Sequence, residues 1–287
     1  MTDRTVSPAP RAHRGSTRGG SHVVAHLVLS VGGFLMMFPF LWQIIMSLST
    51  NAEVQSVVPH LWPAAIQWHN YAAVFDRLSF LPQLRTSVVI TLIRVGAQVL
   101  LCTLAGYAFA RMRFRGRGVL LGVTLSILMV PSQAFLISQY QIVQGLGWLD
   151  TVAGIVAPGL FSAFGTFLMR TAFLNMPLEL EEAAQLDGAS PVRVFWSIML
   201  PLARPTISVL VITSSLWSWN ELLWPLVVST RQEAMPLSAG IATLVSNLDT
   251  DYPVVMAASM LAMAPILILF VLLQRRVIDG LAPSGLK

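Results

Sequence analysis

The stretch EEAAQLDGASPVRVFWSIMLP, residues 181–201, decides how this chain is read. Its acids Glu181, Glu182 and Asp187, with Glu179 just ahead, stand in a protein of 287 residues that is 55% hydrophobic and only 11% charged. Pro177 opens the segment, and acids crowd the first turn of a helix over about 178–187, where they complement the positive end of the helix dipole. Gly188 is placed to end that helix in a left-handed conformation. Ser190-Pro191 then reads as an N-cap followed by proline at the first helical position. A second helix is expected to run to Leu200, where Pro201 stops it. The pattern predicts two short helices joined by a glycine elbow. An ordinary amphipathic surface helix is the plainer alternative.

Working outward, the flanks are apolar. A mean hydropathy of +0.70 with so few charges is outside the habit of soluble domains. Six runs are long enough to cross a hydrocarbon core, which takes roughly 20 helical residues. They lie near Val23–Leu48, Thr86–Ala110, Val119–Val143, Val152–Phe173, Ile207–Val228 and Val254–Leu273. Apolar residues fall on all sides of these runs with no period-2 alternation, so helices fit and a β-barrel does not. The first run exceeds the roughly 7–15 residues of a signal-peptide core and reads as a retained membrane helix. The expectation is an all-α, polytopic membrane protein with six transmembrane helices and a polar loop at 174–206.

Basic residues set the orientation. With six spans, one side holds 14 Lys and Arg, among them Arg111, Arg113, Arg115, Arg117, Arg193 and Arg204, against Arg77, Arg85 and Arg231 on the other. The positive-inside rule puts the first set, both termini and the 174–206 loop in the cytoplasm. The formal net charge of +5 is then a topology signal, not a nucleic-acid footprint. Residues 1–22, rich in Arg, Ser, Gly and Pro, read as a disordered cytoplasmic tail, ahead of a membrane domain over 23–287. The loop at 49–85 carries Trp62, Trp68 and Tyr71 and reads as a partly packed outer cap. Cys102, the single cysteine, can make neither an internal disulfide nor a Cys-based zinc site. No metal site is expected, and no internal repeat is visible.

Two charges fall inside the runs, Arg94 and Glu221. Such residues are costly in a membrane and usually face a partner or water. At 1.5 Å per residue they lie about 12 Å and roughly 10 Å below the outer ends of their spans, depths compatible with an ion pair. Attraction of an anionic solute by Arg94 and snorkelling to the interface are the rival readings. The fifth run also offers Trp217, Trp219 and Asn220, side chains able to stack on sugar C–H faces or bond hydroxyls. The same residue types also glue helices together.

The spacing EAA-x3-G-x9-I-x-LP at 182–201 resembles the cytoplasmic signature of bacterial ABC importer permeases, in the carbohydrate-uptake branch with maltose-type and glycerol-3-phosphate-type members. Asn70-Tyr71, AGYAFARMRFRGR at 105–117, Pro131, WNELLWPL at 219–226, AAS…AP at 257–265 and QRRVIDGL at 274–281 extend the resemblance over about 25–287. The final APSGLK departs from the usual ending of the family. FGTFLMR at 164–170 and the 219–226 stretch look closest to glycerophosphodiester and related sugar permeases.

The resemblance implies the type I importer permease fold in a bacterial inner membrane, and a division of labour. This chain would pair with a second, non-identical permease, take solute from an extracytoplasmic binding protein, and be driven by a dimeric cytoplasmic ATPase. It would bind no cofactor itself; ATP and Mg would belong to the ATPase, consistent with the lack of a phosphate-cradling Gly-Lys-Ser/Thr loop here. Glu182, Ala183, Ala184, Asp187, Gly188, Ala189 and Pro201 would form the coupling surface. Arg94, Trp217, Trp219, Asn220 and Glu221 would line or border the solute path. A sugar or sugar-like solute is implied, with glycerol-phosphate or glycerophosphodiester uptake as the alternative. An ion-coupled secondary transporter is the rival of another class, and it would usually want repeats and a buried acid relay.

Overall fold

The computed structural model describes residues 19–58, 60–245 and 250–281, the side chains of 19–24 and 273–281 excepted. Among them all regular structure is helical. Three helices are long and apolar enough to cross a membrane alone, and three bent helix pairs bring the number of possible crossings to six. The principal elements are α1 (Gly19–Ser47), α2 (His69–Arg77), α3 (Phe80–Arg111), α4 (Arg117–Ser126), α5 (Leu136–Gly145), α6 (Val152–Val156) and α7 (Ala163–Leu174). They continue with α8 (Glu179–Leu186), α9 (Pro191–Val194), α10 (Arg204–Asn220), α11 (Leu223–Val228), α12 (Leu237–Ala242) and α13 (Tyr252–Leu281). Helix α1 begins inside the stretch assigned to the tail; residues 1–18 and the departing tail 282–287 lie outside the described residues.

Helix α3 is the hub. It packs against α6, α7, α10 and α12, while α1, α2 and α10 lie along α13. The α3–α7 crossing is tight because both helices carry small residues there. A Cβ on Gly106 would stand 2.6 Å from Met169 Cβ and 2.8 Å from the Arg170 backbone nitrogen. Across the same seam Gly165 faces Cys102, which is fully buried. Small residues let membrane helices approach backbone to backbone. Gly106→Val is therefore expected to cost the upper part of the roughly 1–3 kcal/mol of an overpacked core. The readout is a reduced monodisperse yield after detergent extraction; an unchanged yield would contradict this packing.

The third, fourth and fifth runs were expected as continuous spans, and each is broken. The third bends by 99° between Arg117–Met129 and Ser132–Gly145, and the fourth by 45° between Val152–Gly159 and Ala163–Leu174. The fifth ends its helix at Asn220 and resumes at Leu223. Proline stands at or beside each break and has no N–H for the carbonyl four residues back, and in the fourth run a new helix starts at Ala163 under a Ser162 cap. In two of the breaks the freed carbonyls find side chains. Pro158 frees Gly154 O, which accepts from Trp224 Nε1 at 3.1 Å. Pro225 frees Glu221 O, which accepts from the Ser238 hydroxyl at 2.6 Å. Broken helices are tolerated in membrane folds only where such partners exist.

Pro201 also departs from expectation. It does not end its helix, which continues through Leu202 and turns by 71° into α10. The preceding turn, Phe195–Met199, is widened to a π-helix. That widening lies where the Pro201 ring would otherwise meet the Ser197 carbonyl.

Candidate functional site

The 181–201 elbow forms as its punctuation dictates. Gly188 has φ +81°. Ala189 N donates to Ala184 O at 2.9 Å and Gly188 N to Gln185 O at 3.0 Å. This is the paired 6→1 and 5→2 bonding of a Schellman cap. Ser190 then caps α9, its hydroxyl accepting from Arg193 N at 3.3 Å, with Pro191 in the first turn.

The elbow has two faces. Glu181, Ala184, Val194 and Phe195 turn inward, joining a core that includes Met169 and Phe173. Glu181 pairs with Arg111, the last residue of α3, at 2.8 Å, both side chains being about nine-tenths buried. Arg111 Nη2 also donates to Met176 O at 2.5 Å, and Tyr107 donates to Glu181 at 3.4 Å. Outward stand Glu182, Ala183, Asp187 and Gly188. Leu186 and Val192 flank the glycine on that side, 89% and 67% exposed.

Of the expected coupling surface, then, Glu182, Ala183, Asp187 and Gly188 are presented, and Ala189 and Pro201 are half-buried. Ala184 turns inward and belongs to the core, because it lies three residues after Glu181 on the same helix face. The exposed pair Leu186 and Val192 was missed, although two apolar residues bracketing a polar elbow were there to be seen. The Arg111–Glu181 pair was missed because nothing in three neighbouring acids says which one turns inward.

The second region lies where the broken helices meet. Arg94 is 5% exposed and its guanidinium pairs with Glu221, in line with the depths counted along the sequence. Its Nη2 donates to Ile155 O at 2.5 Å. Gly159 lies on the guanidinium so closely that a Cβ there would be 2.7 Å from Nε. One turn along α3, Gln98 donates to Gly159 O at 2.7 Å and accepts from the Ser214 hydroxyl at 2.6 Å. Arg94 is thus anchored rather than snorkelling.

The aromatic candidates divide. Trp219 is buried and donates to Ala262 O at 3.0 Å, tying α10 to α13. It borders, with Asn220, Ser238, Ser259 and Gln43, a cavity of 330 Å³. Trp217 is exposed and packs at 5.7 Å on Phe164 with the rings tilted by 40°, lining neither that cavity nor the one beside Glu221. Glu221 faces the second cavity, away from Trp219 and Asn220.

Asp150, between α5 and α6, latches the segment that follows α11. Its Oδ1 accepts from Thr230 N and Arg231 N at 2.6 and 2.9 Å, and its Oδ2 from the Thr230 hydroxyl at 2.7 Å. The Arg231 backbone N–H and then the Thr230 hydroxyl hold the Asp150 carboxyl below the ordinary carboxylate range.

A helical chain with these crossings is a polytopic membrane protein, and comparison with known proteins gives its kind. The family described as "Binding-protein-dependent transport system inner membrane component" matches residues 102–284, and the chain belongs to that family. It is 31% identical over 257 residues to the arabinooligosaccharides transport system permease protein AraQ of Halalkalibacterium halodurans, covering 88% of this chain and 92% of the relative. It is 30% identical over 275 residues to the sn-glycerol-3-phosphate transport system permease protein UgpE of Pectobacterium atrosepticum, covering 93% and 98%. The fold is that of a bacterial ABC transporter involved in import of the acidic polysaccharide alginate, with a TM-score of 0.76 and 23% identity over 93% of this chain and 99% of the other. The protein is therefore the membrane permease component of a binding-protein-dependent transport system.

Proposed function

We propose that this permease imports a sugar or sugar-like solute into a bacterial cell, and that the 181–201 elbow is its joint with a separate dimeric ATPase. The observation that carries the second part is the two-faced elbow. Outward it offers exposed Leu186 and Val192 around an open glycine. Exposed apolar residues next to charges that can make charge-assisted bonds mark a protein-docking surface. Inward the Arg111–Glu181 pair fixes the elbow to the end of α3, the hub of the bundle. A push on the elbow is thereby delivered to the helix that carries Arg94.

ATP and Mg are bound by the ATPase, and this chain contributes motion, not chemistry. The excess of basic residues on one side puts the elbow and both termini in the cytoplasm. A second, non-identical permease completes the solute path, and apolar faces such as those of Leu29 and Met36 on α1 meet it or lipid. An extracytoplasmic binding protein delivers the solute, as the family's description implies. The likeness to the arabinooligosaccharide permease favours a saccharide. The likeness to the glycerol-3-phosphate permease supports a second reading, uptake of a glycerol-phosphate derivative.

The test is affinity purification of the full chain, co-expressed with the ATPase and second permease of its own transport system. An ATPase recovered with the wild-type chain and lost with Glu182→Lys supports the proposal. Recovery of no ATPase with the wild type overturns it.

A further inference from the structure

The cavity beside Glu221 is bordered by all three broken helices. It has a volume of 310 Å³ and is lined by Ser132 and Gln133 at the first break, Gly159 at the second, and Glu221 and Trp224 at the third, with Gln139 from α5. This is the small end of the range for ligand pockets, about 300 Å³, room for a saccharide unit. We infer that it is a subsite for an uncharged, polyhydroxylated solute, and that it disfavours phosphate- or carboxylate-bearing ones. The inference rests on the importer reading above and narrows its substrate class.

The lining chemistry is matched to hydroxyls. Two glutamine amides supply donors and acceptors, the Ser132 hydroxyl, which donates to Gln133 Oε1 at 3.4 Å, can accept, and the Glu221 carboxylate accepts only. Trp224 is buried, 4% exposed, and its indole N–H is already used on Gly154 O, so it closes the wall and leaves the recognition to the two amides, the hydroxyl and the carboxylate.

Charge decides against anions. Among the described residues no Lys, Arg or His lines the cavity. The nearby Arg94 is buried behind it, its two terminal nitrogens taken by Glu221 and Ile155 O and its Nε covered by Gly159. The member of the pair that reaches the cavity is the carboxylate, with 32% of its side chain exposed against 6% for Arg94. An anion would meet that carboxylate with no facing cation. A cation gains little either, because Arg94 already compensates Glu221. The cavity of Gln43, Asn220, Ser238 and Ser259 also lacks any charged side chain among the described residues. Uncharged hydroxyls are what both surfaces can satisfy.

The experiment uses the complete importer, with its own second permease, ATPase and binding protein, in proteoliposomes. Uptake of radiolabelled lactose and arabinotriose is compared with uptake of sn-glycerol-3-phosphate and galacturonate. Neutral saccharides are expected to be carried. Gln133→Leu/Gln139→Leu, which keeps size and removes the amides, should lower their uptake at least about tenfold, chiefly through KM. Uptake of a charged probe in preference to both saccharides overturns the inference, as does wild-type saccharide uptake by the double variant. Gln133 is exposed, so the single Gln133→Leu carries the same test if the double variant does not reach the membrane. Recovery of the ATPase with the wild-type chain is scored first. Its absence sinks the importer reading, whereas its presence with charged-solute uptake sinks only the substrate class.

Discussion

Glu221→Ala is expected to destabilise the chain by about 3–5 kcal/mol, the cost of leaving a buried charge without its partner. Arg94 has only the Ile155 carbonyl left, and no room to swing toward water past Gly159. Glu221→Gln keeps an acceptor and should cost less. Replacing both residues by apolar ones of similar size, Arg94→Met with Glu221→Leu, should recover much of the loss, because the desolvation of both charges disappears with them. The reciprocal swap, Arg94→Glu with Glu221→Arg, should recover little, since a carboxylate at position 94 would face the Ile155 carbonyl, acceptor against acceptor. Denaturant or thermal unfolding of the four variants in one detergent checks the ordering. A Glu221→Ala protein as stable as the wild type would show that the pair does not hold the breaks together.

Gly188→Asp is expected to abolish uptake while leaving the membrane bundle folded. The glycine sits at φ +81° with nothing within 4 Å of a Cβ placed on it, so the defect is conformational and not a clash. A left-handed conformation costs an ordinary L-residue about 1–2 kcal/mol. Relieving it unwinds the Schellman cap, whose two bonds set the angle between α8 and α9. That strain is small against the bundle but falls on the surface proposed to meet the ATPase. Uptake should drop by more than tenfold with yield near wild type. Gly188→Asn, which tolerates the left-handed region better, should retain more. Equal uptake by wild type and Gly188→Asp would show that the elbow angle is not used.

What could be read from the sequence follows the range of the forces involved. The elbow was legible because its cap, glycine and proline act within a few residues. The six apolar runs were legible because transfer from water to lipid sums over some twenty side chains. Arg94 and Glu221 could be matched by counting rise per residue, since Arg94 lies on α3 and Glu221 directly follows α10, which packs along it. The three breaks were not foreseen. Pro131, Pro158 and Pro225 were visible, but whether a proline bends a membrane helix depends on which distant side chain takes the freed carbonyl. Trp224 and Ser238, which do this, are 70 and 17 residues from the groups they satisfy. The inward turn of Ala184 and Glu181 was hidden for a similar reason, because their partners sit on α3 and α7.

The central claim is that the outward face of the elbow touches the ATPase, and a thiol placed on that face tests it most directly. Cys102 is the only native cysteine and is fully buried, so Leu186→Cys adds a single accessible thiol. In membranes holding the whole importer, a short bifunctional cross-linker reacting with that thiol and with amines should join this chain to the ATPase. Ala184→Cys, facing inward two residues away, should give no such product. Absence of an ATPase adduct from Leu186→Cys, or an equal adduct from Ala184→Cys, would contradict the account.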